Sequence, residues 1–381
     1  MKAQLIALAA GMLGFCIAGI GGAHMPEVHN QAKTIKWDPN TLTLIAQQGG
    51  YGRLIRLTGG DILCAFGRRG SIWASRSIDD GKTWSASKMV VIYEFGSAAN
   101  PELLQLANGW ILLSYNERPR DGKHHFTIRT CISRDGGETW TTDSLVYESD
   151  TVWKNGCWEP AQIQLPSGEI QLYFANENPY RDSNEQEISM VRSDDSGLTW
   201  GKPATVCFRA DHRDGMPVPL ILSNGKDIVV AIEDNALGRK FRPAIISGSI
   251  EDNWRKPYID SSDPRRWWAL ASPLPANVNA AAPYIRQFPT GETVLSCQIH
   301  EAGAEPVMAV YVGDDEAKNF DAKTIPFKVD PGRSGKWNSL FIKKATTVTA
   351  VSGTTIDGIT GLWAVDGQLI RTDHEGERLT R

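Results

Sequence analysis

The chain of 381 residues is long enough for one large domain or for two ordinary ones. Its net charge of −4 at pH 7 excludes a generally basic surface, so we expect no nucleic acid among its partners. Thirteen tryptophans are many for this length and supply aromatic surface for a core or for a ligand.

The N-terminal segment, residues 1–23, has the pattern of a targeting signal. It contains one lysine, a long apolar run and a small-residue end at Ala23. This order is typical of a secretory signal peptide that is cut after Ala23, which predicts a secreted or periplasmic protein. No later stretch is apolar and long enough to span a bilayer, so we expect no membrane contact after cleavage. We expect residues 24–381 to form a single domain, and we expect a monomer.

Three copies of the motif S-x-D-x-G-x-T-W organise the chain, at Ser77–Trp84, Ser133–Trp140 and Ser193–Trp200. Their starts lie 56 and 60 residues apart, and the sequence between them is strand-like. Such a period is typical of a β-propeller with one motif in each blade. In this motif, called the Asp-box below, Ser and Asp cap a tight turn, Gly takes a positive φ, and Trp packs the turn against its blade. Degenerate copies stand at Ser249–Trp254 and Gly313–Phe320.

Six β-hairpins with similar turns recur along the chain. Their turn residues are Gly60, Gly109, Gly168, Gly225, Gly291 and Thr346. Each hairpin predicts the first two strands of a blade, strands A and B; a third strand follows, and the Asp-box leads into a fourth. The sequence therefore predicts an all-β fold, a six-bladed β-propeller with four antiparallel strands per blade. We expect residues 41–47 to close the ring against the last blade, and residues 361–370 to form a strand pair.

The mature chain keeps an odd number of cysteines, and none of them forms a CxxC pair. We expect Cys64, Cys131 and Cys297 to be buried thiols, because they lie in strand-like runs. Cys157 and Cys207 could pair in an oxidising compartment, and the sequence leaves that pairing open. The seven histidines have no ligand spacing and no cofactor motif is present, so we expect neither a metal nor a cofactor.

The alternating direction of the strands predicts which residues share the ligand face. Residues that precede strand A and follow strand B lie opposite the Asp-box turns, around the central axis where propellers bind ligands. Glu159 lies between Trp158 and Pro160, and Glu233 ends an apolar strand, so these two are the candidate catalytic carboxylates. We expect Glu102, Asp234 and Glu301 to be solvated surface charges. The candidate substrate-binding residues are Arg53, Asn100, Trp158, Asp214, Met216, Tyr284, Arg286 and Trp337.

Six such blades with Asp-boxes resemble the sialidase superfamily, and Arg53 stands where those enzymes open their first blade. The stretches 156–178, 213–235 and 281–298 are more similar to the exo-arabinanases of glycoside hydrolase family 93. That resemblance implies a retaining pair, with Glu159 as general acid/base and Glu233 as nucleophile, about 5 Å apart. It also implies that Asp214, Tyr284 and Arg286 orient sugar hydroxyls or the nucleophile.

Three functions therefore remain open. The first is a secreted retaining glycosidase acting on an arabinan-like carbohydrate. The second is an exo-sialidase, which is disfavoured because the loop after the second strand of blade one, Gly67–Ser77, contains no acid. The third is a non-catalytic propeller that binds a glycan, because Asp-boxes lie away from the site and a fold does not establish a function.

Overall fold

The computed structural model describes residues 32–372, and within them it contains six four-stranded antiparallel sheets. The six-bladed propeller expected from the repeats is confirmed. The predicted signal peptide, residues 1–23, lies outside the described residues, and the assignment of residues 24–381 to a single domain stays a prediction. Within the described range the only helical segments are two short 3-10 turns, Trp153–Asn155 and Asn178–Tyr180.

The strands follow one another around the ring, after β1 (Ala32–Gln47) at the start. Blade one holds β2 (Gly50–Arg56), β3 (Ile62–Arg68), β4 (Ser71–Ser77) and β5 (Lys88–Val91). Blade two holds β6 (Gly96–Gln105), β7 (Ile111–Pro119), β8 (Thr127–Ser133) and β9 (Thr141–Glu148). Blade three holds β10 (Cys157–Gln164), β11 (Ile170–Asn176), β12 (Glu187–Ser193) and β13 (Ala204–Cys207).

The second half of the ring repeats this order. Blade four holds β14 (Asp214–Ile221), β15 (Asp227–Leu237), β16 (Lys240–Ser249) and β17 (Arg266–Trp268). Blade five holds β18 (Asn279–Gln287), β19 (Thr293–His300), β20 (Val307–Gly313) and β21 (Asp321–Thr324). Blade six holds β22 (Lys336–Lys344), β23 (Thr347–Ile356) and β24 (Ile359–Thr372), and β1 completes it as the outer strand.

The ring closes as predicted, because β1 lies beside β24 in the last blade. The expected strand pair in residues 361–370 is wrong: β24 is one continuous strand. Its pairing with β23 runs without a break from Thr347↔Gln368 to Ile356↔Ile359. Gly367 does not turn the chain; a Cβ there would come within 2.4 Å of Ile35, so the glycine lets β1 approach.

The core lies between the blades, because each sheet packs both faces against its neighbours. β11 is buried along its whole length for this reason. The first strands of the blades, β2, β6, β10, β14, β18 and β22, contact one another in a closed ring around the axis. Among residues 32–372 no helix has the length and apolar character that crossing a membrane would require.

The Asp-box turns have the local structure that the motif predicts. In the first box the hydroxyl of Ser77 accepts from the Gly81 N–H at 2.8 Å, and Asp79 accepts from the N–H and hydroxyl of Thr83 at 2.9 and 2.6 Å. These bonds lower the pKa of Asp79 to about 2. Gly81 has a φ of 84°, and Trp84 packs against a buried cluster that includes Phe66. The boxes at Ser133 and Ser193 repeat the pattern.

The fourth strand starts later than expected in several blades. In blade one it begins at Lys88, four residues after Trp84, and in blade four it begins at Arg266, well beyond Trp254. In both blades the Asp-box tryptophan packs against the core. The residues after it lead the chain back to the edge of the sheet, where the fourth strand can pair.

Candidate active site

A β-bulge recurs at the same place in the first strand of all six blades. Each bulge interrupts the pairing of strands A and B and carries one non-glycine residue with a φ between 49° and 58°. These residues lie nine positions before the turn residue of their hairpin, and four of the six precede a proline. They are Tyr51, Asn100, Glu159, Met216, Ala282 and Trp337.

This ring of bulges re-aims side chains toward the axis, which is what bulges near active sites commonly do. A left-handed backbone at a non-glycine residue costs about 1–3 kcal/mol, so the ring stores strain at six points. Four bulge residues, Tyr51, Asn100, Glu159 and Trp337, line a pocket of about 670 Å³ on the face opposite the Asp-boxes. This volume is typical of a small-ligand site.

Glu159 is placed by both its backbone and its surroundings. Its N–H donates to Oδ1 of Asn116 at 2.9 Å, and Asn116 also donates to the Cys157 carbonyl at 2.7 Å. Its side chain is 18% exposed, and Nη2 of Arg118 lies 3.9 Å from Oε1. Burial raises the pKa of Glu159 to about 7; the charge of Glu177 raises it further, and the neighbouring arginines lower it.

Glu233 faces the same pocket from within β15, four residues before that strand ends. Its Oε2 accepts from the Ala282 N–H at 2.7 Å. Burial raises the pKa of Glu233 to about 7, and the charge of Glu159 raises it as well, whereas the Ala282 bond and Arg213 lower it. Two carboxyl groups whose charges affect each other thus share one pocket, each with a pKa near neutrality.

The position of Glu233 belongs to the repeat. The bulge N–H of Glu159 donates to Asn116, in strand B of the preceding blade, and the bulge N–H of Trp337 donates to Gln298 at 3.3 Å. Glu233 makes the equivalent contact to the bulge of blade five, so a position that holds an amide in blades two and five holds a carboxylate in blade four. Gly215 leaves room for it, because a Cβ at Gly215 would stand 3.0 Å from its Oε1.

Two arginines compensate the acidic side of the pocket. Arg118 bonds Asn100 and lies over the Trp158 ring at 5.1 Å. Arg213 bonds both Glu177 and Gln186. Because neither arginine donates a hydrogen bond to Glu159 or Glu233, the two guanidinium groups lower the electrostatic cost of ionising these carboxyls and leave their oxygens free for a ligand.

Aromatic side chains line the mouth of the pocket. Trp153 is 60% exposed, and its ring centroid lies 4.6 Å from that of the buried Trp158. Trp337, 43% exposed, stands across the pocket with its ring 6.2 Å from Tyr51. Exposed tryptophan faces of this kind suit the apolar face of a sugar ring.

The structure brings half of the predicted site residues to this pocket. Glu159, Glu233, Asn100, Trp158 and Trp337 line it. The other candidates are absent from its wall: Arg53, Asp214, Met216, Tyr284 and Arg286. All of these except Arg286 are buried.

Three of the remaining candidates form a polar plug at the axis. Arg53 donates to Oε2 of Glu102 at 2.9 Å, and Tyr284 donates to Oε1 of Glu102 at 3.1 Å. Arg286 in turn bonds the Tyr284 hydroxyl. Blade two, which carries Glu102, lies opposite blade five, which carries Tyr284, so these bonds cross the ring.

Asp214 belongs to a second buried cluster. Arg266 bonds both Asp214 and Asp234, and all three side chains are almost completely buried. Asp214 pairs with Asp234 beside the Gly215↔Glu233 pair, so this cluster stiffens the strands that carry Glu233.

The prediction that Glu102, Asp234 and Glu301 are solvated surface charges is therefore wrong for two of the three residues. Glu102 and Asp234 are buried in ion pairs with arginines that approach from other strands, a setting that their neighbours in sequence do not reveal. Glu301 is exposed as expected, 2.8 Å from Lys323.

Residues that the sequence did not single out as binding residues complete the wall. They include Tyr51, Arg118, Trp153, Glu177, Gln186 and Arg213. The sequence could have indicated Tyr51, since it lies nine positions before its turn residue, as the other bulge residues do. Trp153 and Gln186 precede their strands in irregular loops, where no register predicts direction.

The five cysteines among residues 32–372 are buried and unpaired. Cys64, Cys131 and Cys297 are buried and free, as expected. Cys157 and Cys207 are also buried and unpaired; the Cys207 thiol instead lies 3.5 Å from a carboxylate oxygen of Asp214. Within residues 32–372 no group of three His, Cys, Asp or Glu side chains is arranged to hold a metal ion.

Solved structures with the same fold include glycoside hydrolases of two kinds. An α-L-arabinanase from Penicillium chrysogenum, in complex with arabinobiose, is 18% identical with a TM-score of 0.66, over 87% of this chain and 98% of that one. A family 93 α-L-arabinofuranosidase from Fusarium graminearum, also with arabinobiose, is 19% identical with a TM-score of 0.64, over 89% and 97%. A sialidase from Streptococcus pneumoniae is 13% identical with a TM-score of 0.56, over 88% and 70%.

These likenesses establish the sialidase-like propeller fold that the blades predicted. No curated protein matches the sequence. The model of the family described as "BNR repeat-like domain" matches residues 109–322, from the turn of the second hairpin to the outer strand of blade five. Since that match spans more than half of the chain, this protein belongs to the BNR repeat-like family.

Proposed function

We propose that this protein is a retaining glycoside hydrolase that acts on an arabinan-like oligo- or polysaccharide. The observation that carries the proposal is the pair Glu159 and Glu233: two carboxyls in one pocket, each with its pKa raised to about 7 and coupled through charge. Hydrolysis of a glycosidic bond by two carboxyl groups needs one of them protonated and the other ionised.

The hydrogen bonds favour a division of roles. The Ala282 N–H stabilises the ionised form of Glu233. Glu159 accepts no hydrogen bond from the described residues at its carboxyl group, and Glu177 adds negative charge that favours its protonated form. We therefore assign Glu233 as nucleophile and Glu159 as general acid/base.

The reaction then runs in two steps. Oε1 of Glu233 attacks the anomeric carbon while Glu159 transfers its proton to the leaving glycosidic oxygen, which yields a glycosyl ester on Glu233. In the second step Glu159, now ionised, takes a proton from water, and the water oxygen attacks the anomeric carbon and releases Glu233. The sugar leaves with its original anomeric configuration.

The substrate class is supported by the fold and by the wall of the pocket. The two neighbours described with arabinobiose have this propeller over nearly their whole length. Trp153 and Trp337 provide exposed rings for furanose or pyranose faces on two sides of the carboxyl pair. The signal-like residues 1–23 support a secreted or periplasmic site of action, which mass spectrometry of the exported protein would test: its first residue should be His24.

The first test is hydrolysis of linear arabinan and of a panel of aryl glycosides that includes an α-L-arabinofuranoside and an α-sialoside. Release of arabinose or arabinobiose by wild type, but not by Glu159→Gln or Glu233→Gln, supports the proposal. Cleavage of the sialoside would replace it with an exo-sialidase. Binding of glycans without any turnover would replace it with a non-catalytic binding propeller.

A further inference from the structure

The charges that line the pocket do not balance. Five arginines and three glutamates line it. Arg118 and Arg213 lie near the glutamates, as described above. The other three arginines, Arg68, Arg69 and Arg120, make no ion pair with any carboxylate of the described residues. A neutral sugar provides no partner for three such charges.

Two of these arginines sit in a preorganised turn. Residues 68–71 connect β3 to β4 by the shortest hairpin, with Arg68 paired to Ser71. Arg69 has a φ of 52° and Gly70 a φ of 78°, the positive pair that a type I′ turn requires. The turn is docked on blade two, because the Ala98 N–H donates to the Gly70 carbonyl at 2.9 Å.

The side chains of the turn are held as well. The guanidinium of Arg68 lies 4.0 Å from the centroid of the Trp73 ring, and Nε of Arg69 donates to Gln48 at 2.9 Å. Both contacts leave terminal guanidinium nitrogens free. Arg120 follows the second strand of blade two and lines the same pocket, and its N–H donates to the Phe95 carbonyl at 2.9 Å.

We infer that Arg68, Arg69 and Arg120, on the blade one and blade two side of the pocket, bind the carboxylate of a uronic acid in the glycan. The inference rests on the proposed function, since it narrows the substrate of the same pocket to an acidic, uronic acid-bearing glycan. Blade one lies opposite blade four, which carries Glu233, so a glycan that reaches from the carboxyl pair across the pocket would meet the arginines.

The physical reason is the match between guanidinium and carboxylate. The planar fork of an arginine binds a carboxylate through two parallel hydrogen bonds, and the bond strengthens when donor and acceptor are both charged. Uncompensated cations in a concave site also raise the local concentration of anionic ligands. Because contacts already hold the turn and the side chains of Arg68 and Arg69, less conformational entropy is lost when the carboxylate binds than with free side chains.

The test is calorimetric titration of pectic oligosaccharides that carry galacturonic acid, and of the same oligosaccharides after their carboxyl groups are reduced to primary alcohols. We expect wild type to bind the acidic set at least about tenfold more tightly than the reduced set, with the difference shrinking in 0.5 M salt. The triple variant Arg68→Gln/Arg69→Gln/Arg120→Gln should lose that difference. Equal binding of the two sets by wild type overturns the inference.

A matched control removes three cations from the Asp-box side: Lys82→Gln/Lys202→Gln/Arg255→Gln, all exposed. It should retain the preference for the acidic set, and loss of the preference in this variant would mean that net charge alone is responsible. A third ligand, a sulfated galactan fragment, separates the two common sugar anions. Tighter binding of the sulfated fragment than of the uronic acids also overturns the inference.

Failure of the inference and failure of the proposed function give different results. If arabinan is hydrolysed and the acidic preference is absent, the glycosidase stands and the arginine site falls. If the acidic set binds through the three arginines but nothing is hydrolysed by wild type, the arginine site stands and the catalytic pair falls.

Discussion

The two faces of this propeller are built by opposite rules. On the Asp-box face each turn is closed by residues within eight positions of one another, such as Ser77, Asp79 and Thr83. On the pocket face the decisive contacts join different blades, as in Ala282 to Glu233 or Tyr284 to Glu102. The most visible motif in the sequence therefore marks stability, and the chemistry lies at positions that only the register of the repeat identifies.

The largest expected effect is on the catalytic pair. Glu159→Gln should lower kcat about 10²–10⁴-fold, except on substrates with an activated leaving group, because the amide cannot donate the required proton. Glu233→Gln should lower kcat at least as much, because the amide cannot form the glycosyl ester. Steady-state kinetics on aryl glycosides measures both. Thermal unfolding at or above the wild-type temperature confirms that the variants are folded.

Azide separates the two roles. With Glu233→Ala, azide should restore turnover as an external nucleophile and give a glycosyl azide of inverted configuration, whereas with Glu159→Ala the azide product should retain the configuration. The opposite pairing of products would exchange the assigned roles. Product configuration is read by NMR.

A pair of tryptophans tests the comparison of faces directly. Trp84→Ala on the Asp-box face should cost about 3 kcal/mol of stability through lost packing, and should leave kcat/KM per folded molecule unchanged. Trp153→Ala on the pocket face, an exposed residue, should leave stability within about 0.5 kcal/mol and raise KM severalfold. Urea denaturation and kinetics on both variants measure this. If Trp84→Ala abolished activity without loss of stability, the division between faces would be wrong.

A smaller effect is expected from Gly215→Ala. The new Cβ would stand 2.7 Å from Nε2 of Gln186 and 3.0 Å from Oε1 of Glu233, so the carboxylate must shift. Since small misplacements of a reacting group are costly, we expect kcat to fall about tenfold or more. The matched control is Gly59→Ala, because that glycine has open space around it and an ordinary φ. Gly225→Ala is not suitable, because the φ of Gly225 is positive. An unchanged kcat in Gly215→Ala would mean that Glu233 is not held as described.

A further effect is expected on stability as a function of pH. The pKa values of Glu159 and Glu233 lie near 7 in the folded chain, above those of an unfolded glutamate, so the folded state binds more protons between about pH 4.5 and 7. Their contribution to the free energy of unfolding is therefore complete below this window and is lost as pH rises through it. Glu159→Gln/Glu233→Gln should flatten that decline in urea titrations at pH 5 and pH 8. The same pair predicts a bell-shaped kcat/KM with a maximum near neutrality.

Much of the molecule was predictable because its determinants repeat. The hairpin turns and Asp-boxes predicted six blades, and the place of Glu159 and Glu233 in the repeat predicted that they share a face. The bulges were signalled by the prolines that follow Asn100, Glu159, Met216 and Ala282 at a constant distance from the hairpin turn.

The order and direction of the strands follow from the local sequence, since alternation, turn glycines and capping residues act over a few positions. Which charges are buried, in contrast, depends on contacts between distant strands. Glu102 and Asp234 are paired by arginines from other strands, while Arg68, Arg69 and Arg120 are left without carboxylate partners among residues 32–372. The physical reason is that the free energy of a charge depends on solvent exclusion and on neighbours within a few ångströms, and here those neighbours come from strands far apart in the chain.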